Sequence, residues 1–414
     1  MQQELTESVQ QSIRPGEIVD TYYYGETNLD KQAYPCITNN RFIQTFTNLG
    51  AGSSQFVISP NMGVSDIVIQ LTFPAIADTA LALGTGWGYK LLNRVSVRYG
   101  SSAQYFFTGE QILLSNLYDA ENGPKRDQIL TLGGLQLNGV AMSGAQALLY
   151  LKLPHNSIRA SGKPLPFPSD LLVQPIVITV ELFAPSAAVY VGTGGSLANV
   201  PAQLAAGQMQ VKQEMLTDSS DLLARRVDMN ENAYTFPLPY FQQQEVVVPC
   251  TAGSVTQSVN LTGFRAGEVR SILLWLTGGT AARNANGQPI NWSNLRNVVL
   301  TYNGEIFYRS DGESNQMWAL TGDQKSASVQ SGFFTVSATP AQTAQTVYWT
   351  EIPFAQINQA VERESNLMHG KPILNAVVNL QFDAPDGTNT YVLHAAYNYN
   401  ASLLCSRGSA EYIF

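Results

Sequence analysis

The chain of 414 residues carries 31 acidic against 23 basic side chains, and no Lys/Arg run of the kind that neutralises phosphates, which argues against sequence-specific nucleic-acid binding. Cys36, Cys250 and Cys405 are odd in number and far apart, so they form neither a disulfide framework nor a zinc spacing. The length suits two domains of about 200 residues; the 44% hydrophobic fraction can fill a large core, while the 13% charged fraction is about half the usual share. Thr, Ser, Asn and Gln take the place of charge, as expected where much of a surface meets other protein.

At the start, Leu5, Val9 and Ile13 recur at spacing four and stop at Arg14-Pro15-Gly16. That pattern predicts a short amphipathic helix within an N-terminal arm, residues 1–34. Such a helix can dock on its own domain, on a neighbouring subunit or on a membrane surface, Arg14 being its one basic side chain. The opening MQQELTESVQQSIRPGE has neither the basic end nor the apolar stretch of a signal peptide, and no apolar run of 18 follows. Synthesis in a cytoplasm is therefore expected, without secretion and without a membrane span.

From Tyr34 onward the chain reads as strands. Residues 41–48, 55–59 and 66–73 are short, β-branched and bounded by turn residues. Residues 91–99 alternate, with Val95 and Val97 on one face and Arg94, Ser96 and Arg98 on the other. Residues 109–120 change to helical spacing through Ile112, Leu113, Asn116 and Leu117. A Gly-rich, helix-poor excursion loop is expected over 122–144, then strands over 147–153 and 174–183. A flexible passage around 192–195, another strand over 208–215 and a short helical piece over 219–226 complete the first half.

The second half replays this order. NRVSVRYGSSAQYFFTGE (93–110) aligns without a gap on RNVVLTYNGEIFYRSDGE (296–313). Val95 falls on Val298, Tyr99 on Tyr302, Tyr105 on Tyr308, Gly109 on Gly312 and Glu110 on Glu313, each pair 203 residues apart. Leu71-Thr72 answers Leu276-Thr277 at an offset of 205, LLYLKLP answers VYWTEIP at 199, and PIVITVELFAP answers NAVVNLQFDAP at 200. Four landmarks in one order at nearly one offset describe a tandem duplication. The fold class that follows is all-β: two tandem eight-stranded antiparallel jelly-roll sandwiches, residues 35–226 and 227–414, with short helices in the connections.

These residues carry a resemblance. LLNRVSVRYGSSAQYFFTGEQILLSNL and LRNVVLTYNGEIFYRSDGESNQMWAL each resemble a segment of the double jelly-roll major capsid proteins of DNA viruses: an alternating strand, a Gly-containing turn, a second strand, then Gly-Glu opening a helix. LLYLKLPHNS through KPLPFPSDLLVQPIVITVEL, YTFPLPYFQQQEVVVP and the terminal YNYNASLLCSRGSAEYIF are similar to that family's corresponding places. Two departures stand out: the turn at Gly100-Ser-Ser has no Gly-Gly, and Gln111 and Ser314 stand where an aromatic usually follows Gly-Glu.

The resemblance implies a structural protein, a major capsid subunit found in the virion shell. It implies a homotrimer with a pseudo-hexagonal outline, tiling an icosahedral facet beside neighbouring capsomers, penton and minor capsid proteins. Loops over 122–144, 278–291 and 322–331 would face outward, and the arm carrying Leu5, Val9, Ile13 and Arg14 would line the inner face, against the genome or an internal membrane.

Chemistry finds little support. Gly192-Thr-Gly-Gly-Ser is too short for a phosphate loop and lacks its Lys. His155, His369 and His394 have no HxH or HExxH spacing. The acidic pairs Asp218 with Asp221 and Asp383 with Asp386 match no EF-hand and suit turns. No catalytic, metal-binding or cofactor-binding set is expected, and no cofactor. The alternative function is a duplicated β-sandwich binding module, a virion attachment protein or lectin-like adhesin. That reading wants aromatics gathered on one loop rim, whereas Trp87, Trp275, Trp292, Trp318 and Trp349 are spread along the chain.

Overall fold

The computed structural model describes residues 36–216, with short breaks at 59–62, 120–122 and between 152 and 171. Beyond residue 232 it describes 233–236, 240–248, 253–261, 269–278, 295–302, 304–311, 327–330, 346–353, 376–384, 391–399 and 401–413. The first copy contributes eight principal strands: β1 (Cys36–Thr45), β2 (Gly52–Ile58), β3 (Gly63–Thr72), β4 (Leu92–Arg98), β5 (Tyr105–Phe107), β6 (Gln146–Leu151), β7 (Ile176–Leu182) and β8 (Ala206–Leu216). The second contributes β9 (Tyr240–Val248), β10 (Gly253–Leu261), β11 (Val269–Gly278), β12 (Leu295–Tyr302), β13 (Glu305–Asp311), β14 (Thr346–Pro353), β15 (Ala376–Ala384) and β16 (Tyr391–Tyr399).

In the first copy one sheet runs β1-β8-β3-β6 and the facing sheet β2-β7-β4-β5; in the second the orders are β9-β16-β11-β14 and β10-β15-β12-β13. The two orders are the same, strand for strand, and every pairing is antiparallel. The four-by-four arrangement is the jelly roll, and the chain carries it twice.

Hydrogen-bond register tests the alignment residue by residue. Val97 faces Tyr105 across β4 and β5, and Leu300 faces Tyr308 across β12 and β13. Val95 faces Val180, and Val298 faces Leu380. Both agree with the sequence offsets of 203 and 200. One offset differs. With Leu71 placed on Leu276, the ladder of β3 and β6 puts Ile352, not Thr350, in the place of Leu151. A slip of two residues keeps every side chain on its own face, so the hydrophobic pattern does not register it.

The cores follow from the alternation. Val95, Val97, Ile178 and Val180 close one wall of the first core and Ile67, Ile69, Leu71, Met209 and Val211 the other. Val298, Leu300, Val378 and Leu380 face Ile272, Leu274, Leu276, Leu393 and Ala395 in the second.

Helix α1 (Trp87–Leu91) leads into β4, and α2 (Gly109–Asp119) follows β5 as its spacing predicts. The expected loop over 122–144 is instead largely ordered structure: α3 (Gly123–Leu132), a two-residue strand at Leu137–Asn138 and a 3-10 turn at Gly139–Met142. Pro124 in its first turn suits a helix start. Gly133 and Gly134 end it, and a Cβ there would lie 2.6 Å from the Tyr89 ring and 2.3 Å from Trp87 Nε1. Those glycines are close-approach positions rather than marks of a loop. Leu130 and Met142 are buried, so this segment lies down on the sandwich.

The Gly192–Gly195 passage is likewise an ordered turn. Gly192 N–H donates to Ala80 O at 2.7 Å, and a Cβ at residue 192 would meet that oxygen at 2.9 Å. Residues 327–330, expected in an outer loop, extend the β14 edge as a fifth strand. The first 35 residues, including Leu5, Val9, Ile13 and Arg14, the 219–226 piece and the rest of the two later loops fall outside the described residues.

Candidate functional site: the seam between the two copies

The corner formed by β4, β5 and α2 meets the outer face of the β9-β16-β11 sheet. Thr108 caps α2, its Oγ1 accepting the Gln111 N–H at 3.3 Å. A Cβ at Gly109 would fall 1.9 Å from Tyr89 O and 2.7 Å from Leu92 Cβ, so only glycine lets the helix start this close to α1 and β4. That start places Glu110 in the first turn of α2, where a carboxylate suits the helix dipole.

Glu110 reaches across the seam: its Oε2 accepts the Trp275 Nε1–H at 3.1 Å. Trp275 is fully buried and lies flat on His394, ring centroids 4.9 Å apart and planes 6° from parallel. His394 Nε2 is 3.9 Å from Glu110 Oε2, and Nδ1 is 3.4 Å from Glu245 Oε1. Gln243 Nε2 lies 3.1 Å from His394 Nδ1 and donates to Glu245 Oε1 at 3.2 Å. Hydrogen bonding with His394 holds the Glu245 carboxyl below its usual range; burial opposes this and the imidazole charge adds to it.

Beside this polar cluster the seam is aromatic. Tyr105 packs edge-on against Tyr240 and Tyr412, each ring centroid 6.3 Å away, and stacks with Tyr99 at 6.1 Å. Tyr240 meets Tyr412 at 5.2 Å, and its hydroxyl donates to Gln104 O at 3.4 Å. Burial pushes the Tyr105 and Tyr412 phenols well above their ordinary value, so both stay neutral. Full burial of each such ring stabilises by about 1.5–3 kcal/mol.

A hairpin, Ser402–Ser406 with Ser409–Ile413, pairs with Ala233–Phe236 and covers the first copy. Leu403, Cys405, Ala410 and Tyr412 join the first core, as do Trp275 and Ala396. Ser101 Oγ donates to Ala410 O at 3.0 Å and accepts its N–H at 2.9 Å, and the Val173 N–H donates to Gly408 O at 2.9 Å.

The duplicated motif thus divides. Tyr99, Tyr105 and Glu110 come together at the seam, and Gly109 makes the corner possible. Val95 and Val298 are core residues facing away from it, 0% and 3% exposed. Tyr302 closes β12, its backbone opposite Glu305 and Ala376. Tyr308 is half-buried against the second core, and its neighbour Ile306 is 67% exposed. Gly312 and Glu313 fall outside the described residues.

Sequence reasoning missed the receiving face: Trp275, His394, Glu245, Gln243, Tyr240 and Tyr412. A signal was present in the aligned copies. Gln70 stands where the second copy has Trp275, and the ladders put Gln208 where it has His394 and Thr45 where it has Glu245. The first copy's own outer face is accordingly polar: Gln210 Nε2 donates to Gln70 Oε1 at 2.7 Å, the Tyr150 hydroxyl donates to Asp66 at 3.0 Å, and Lys212 lies 3.8 Å from Asp66.

Among the described residues no group of three or more His, Cys, Asp or Glu could hold a metal ion, and no helix is long and apolar enough to cross a membrane. Trp87 and Trp275 lie in the core rather than on a loop rim.

Two jelly rolls in one chain, joined corner to face, define the double jelly-roll fold. No protein-family model matches the sequence, and no curated protein does. Solved structures do match. The PBCV-1 virus capsid aligns over 91% of this chain and 98% of its own with a TM-score of 0.61 at 14% identity. The Faustovirus major capsid protein aligns over 89% and 91% with a TM-score of 0.56 at 9% identity. The mavirus major capsid protein aligns over 90% of each chain with a TM-score of 0.51 at 10% identity. At these identities the likeness is one of fold, and it spans both copies.

Proposed function

We propose that this chain is a major capsid protein: a structural subunit that closes with two others into a pseudo-hexagonal trimer and tiles an icosahedral shell. The observation that carries the reading is an unequal pair of faces. Within the chain, the first copy's corner docks on the second copy's outer face. The second copy's corner (β12, β13) and the first copy's outer face (β1, β8, β3) have no such intrachain partner among the described residues. On them Ile306 is 67% and Ile43 48% exposed.

Docking the second corner on another chain's first face repeats the same contact between chains. Such a head-to-tail interface either closes into a ring or grows as a filament. Three chains with two sandwiches each make six similar positions, and the resemblance to double jelly-roll capsid proteins implies closure at three. An obligate interface of this kind buries roughly 2,000 Å² or more, which suits a surface where charge is sparse. In this reading the sandwiches are residues 35–226 and 227–414, the arm 1–34 lines the inner face, and neighbouring trimers with penton and minor capsid proteins complete the shell. No catalytic role is assigned, and nothing among the described residues favours the attachment-protein alternative.

The test is the solution mass of the full-length chain by light scattering, with electron micrographs of the same peak. A particle of three times 45.1 kDa with a hexagonal outline supports the reading; a monomer at all concentrations and salts contradicts it.

A further inference from the structure

We infer that the first jelly roll closes last, on a surface the second copy supplies, although it comes first in the chain. The two cores differ in what they draw on. The buried residues described in the second core run from Val248 to Tyr399, so among the described residues it takes nothing from the first copy. The first core takes Trp275 and Ala396 from the outer face of the second copy. It also takes Leu403, Cys405, Ala410 and Tyr412 from the hairpin that follows that copy. The dependence runs one way.

The hairpin is the last piece to be fixed. Its strands, Ser402–Ser406 and Ser409–Ile413, are joined by Arg407 and Gly408 at φ of 50° and 75°, the two-residue turn that suits twisted strands. Burial alternates along both strands, so one face is apolar and the other carries the exposed Ser409 and Glu411. Such a small ribbon is marginal in water, and docking on the first copy is what holds it. The Ser101 hydroxyl bridges the N–H and C=O of Ala410 across 309 residues of sequence. A Cβ at Gly408 would fall 2.1 Å from Val173 Cγ2, so the turn sits hard against that loop. Tyr412 packs on both Tyr105 and Tyr240, where hairpin, corner and receiving face meet. Contacts this distant in sequence form late, because the intervening chain must lose its freedom before the contact returns anything.

The order of events follows. Synthesis delivers the first copy first, and chains of several domains ordinarily fold from that end. Here the β4–β5–α2 corner emerges without the Tyr240 and Tyr412 rings that meet Tyr105, and it waits for β9, β11, β16 and the hairpin. The second copy is thus a scaffold inside the chain, and the hairpin is the latch that completes the first. In the proposed assembly, the first copy's outer face would be offered only by chains whose second copy is already folded. That consequence rests on the assembly, whereas the folding order rests on contacts within one chain and is tested without it.

The experiment is hydrogen exchange read by mass spectrometry on the full-length protein, comparing peptides from β2, β4 and β7 with peptides from β10, β12 and β15. On refolding from urea, the second set is expected to gain protection before the first. At equilibrium in rising urea, the first set should open before the second or together with it. A first set protected ahead of the second on refolding, or still protected where the second has opened, overturns the proposal. Two substitutions give the dependence its direction. Leu403→Ala, in the hairpin, should slow protection of the first set roughly fivefold and leave the second within about twofold of its natural rate. Leu380→Ala, in the second core, should slow both sets. Equal slowing of both sets by Leu403→Ala, or slowing confined to the second set by Leu380→Ala, contradicts a one-way dependence. The equilibrium series on the natural protein decides the matter if neither variant refolds.

Discussion

The β4–β5–α2 corner of the first copy and the β12–β13 corner of the second descend from one sequence and have opposite surroundings. In the first, Tyr99 and Tyr105 are fully buried beneath Tyr240, Tyr412 and the outer face of β16, and Glu110 holds the Trp275 indole. In the second, Ile306 and Arg309 face outward and Tyr308 is half-buried. The receiving faces differ in the same sense: Trp275 and His394 on one, Gln70 and Gln208 on the other. In the proposed assembly one kind of contact would be used twice, with an aromatic and buried face within the chain and a face of Gln and Thr between chains.

Substitutions at equivalent positions should separate the two faces, beginning with the largest effect. Trp275→Ala is expected to cost about 3–5 kcal/mol in urea unfolding, whereas Gln70→Ala at the equivalent position should cost within about 1 kcal/mol. Equal losses would mean that the seam contributes no more than open surface. Gly109→Ala forces a Cβ into Tyr89 O and should cost about 2 kcal/mol or more by the same measurement. A neutral result there would show that the corner yields. Tyr105→Phe removes a hydroxyl that donates to the Tyr99 hydroxyl at 3.4 Å and should cost about 1 kcal/mol, with Tyr308→Phe closer to neutral.

Alkali offers a further contrast. Because burial raises the Tyr105 and Tyr412 phenols, the stability they lend is complete below the ordinary tyrosine value of 10.0 and is lost as pH rises through the raised ones. Tyrosinate absorbance should therefore show a late, cooperative step that coincides with unfolding. Simple titration of all tyrosines near the ordinary value would contradict burial at the seam. Smallest of all, Ile306→Arg should leave the Tm of the isolated chain within about 1 °C, the side chain being exposed, while lowering the solution mass.

How much of this was legible beforehand depends on the kind of signal. Strand alternation revealed the duplication, because Val95, Val97, Val298 and Leu300 keep both their period and their spacing. The helix at Gly123–Leu132 was hidden because its apolar stripe is narrow and the glycines after it, which admit Trp87 and Tyr89, read as loop. Register of β6 against β14 was misjudged by two residues, a shift that leaves every face unchanged. Trp275, His394 and Glu245 lie on three strands brought together only by the sheet, so no local spacing announced them. Comparing the two copies for positions where Gln or Thr is replaced by Trp, His or Glu would have pointed to that face.

The central claim is that the seam inside the chain is the template for the seam between chains, and an interchain crosslink tests it most directly. Tyr240 packs on Tyr105, and the ladders put Asn40 in the place of Tyr240 and Tyr308 in the place of Tyr105. A chain carrying Asn40→Cys and Tyr308→Cys, with Cys36 and Cys250 replaced by Ser, would be treated with a short bis-maleimide and run under denaturing conditions. Covalent dimers and trimers, with the series stopping at three, are the predicted result. Absence of crosslinks in a sample that is oligomeric by light scattering, or a series that runs on past three, would contradict the account.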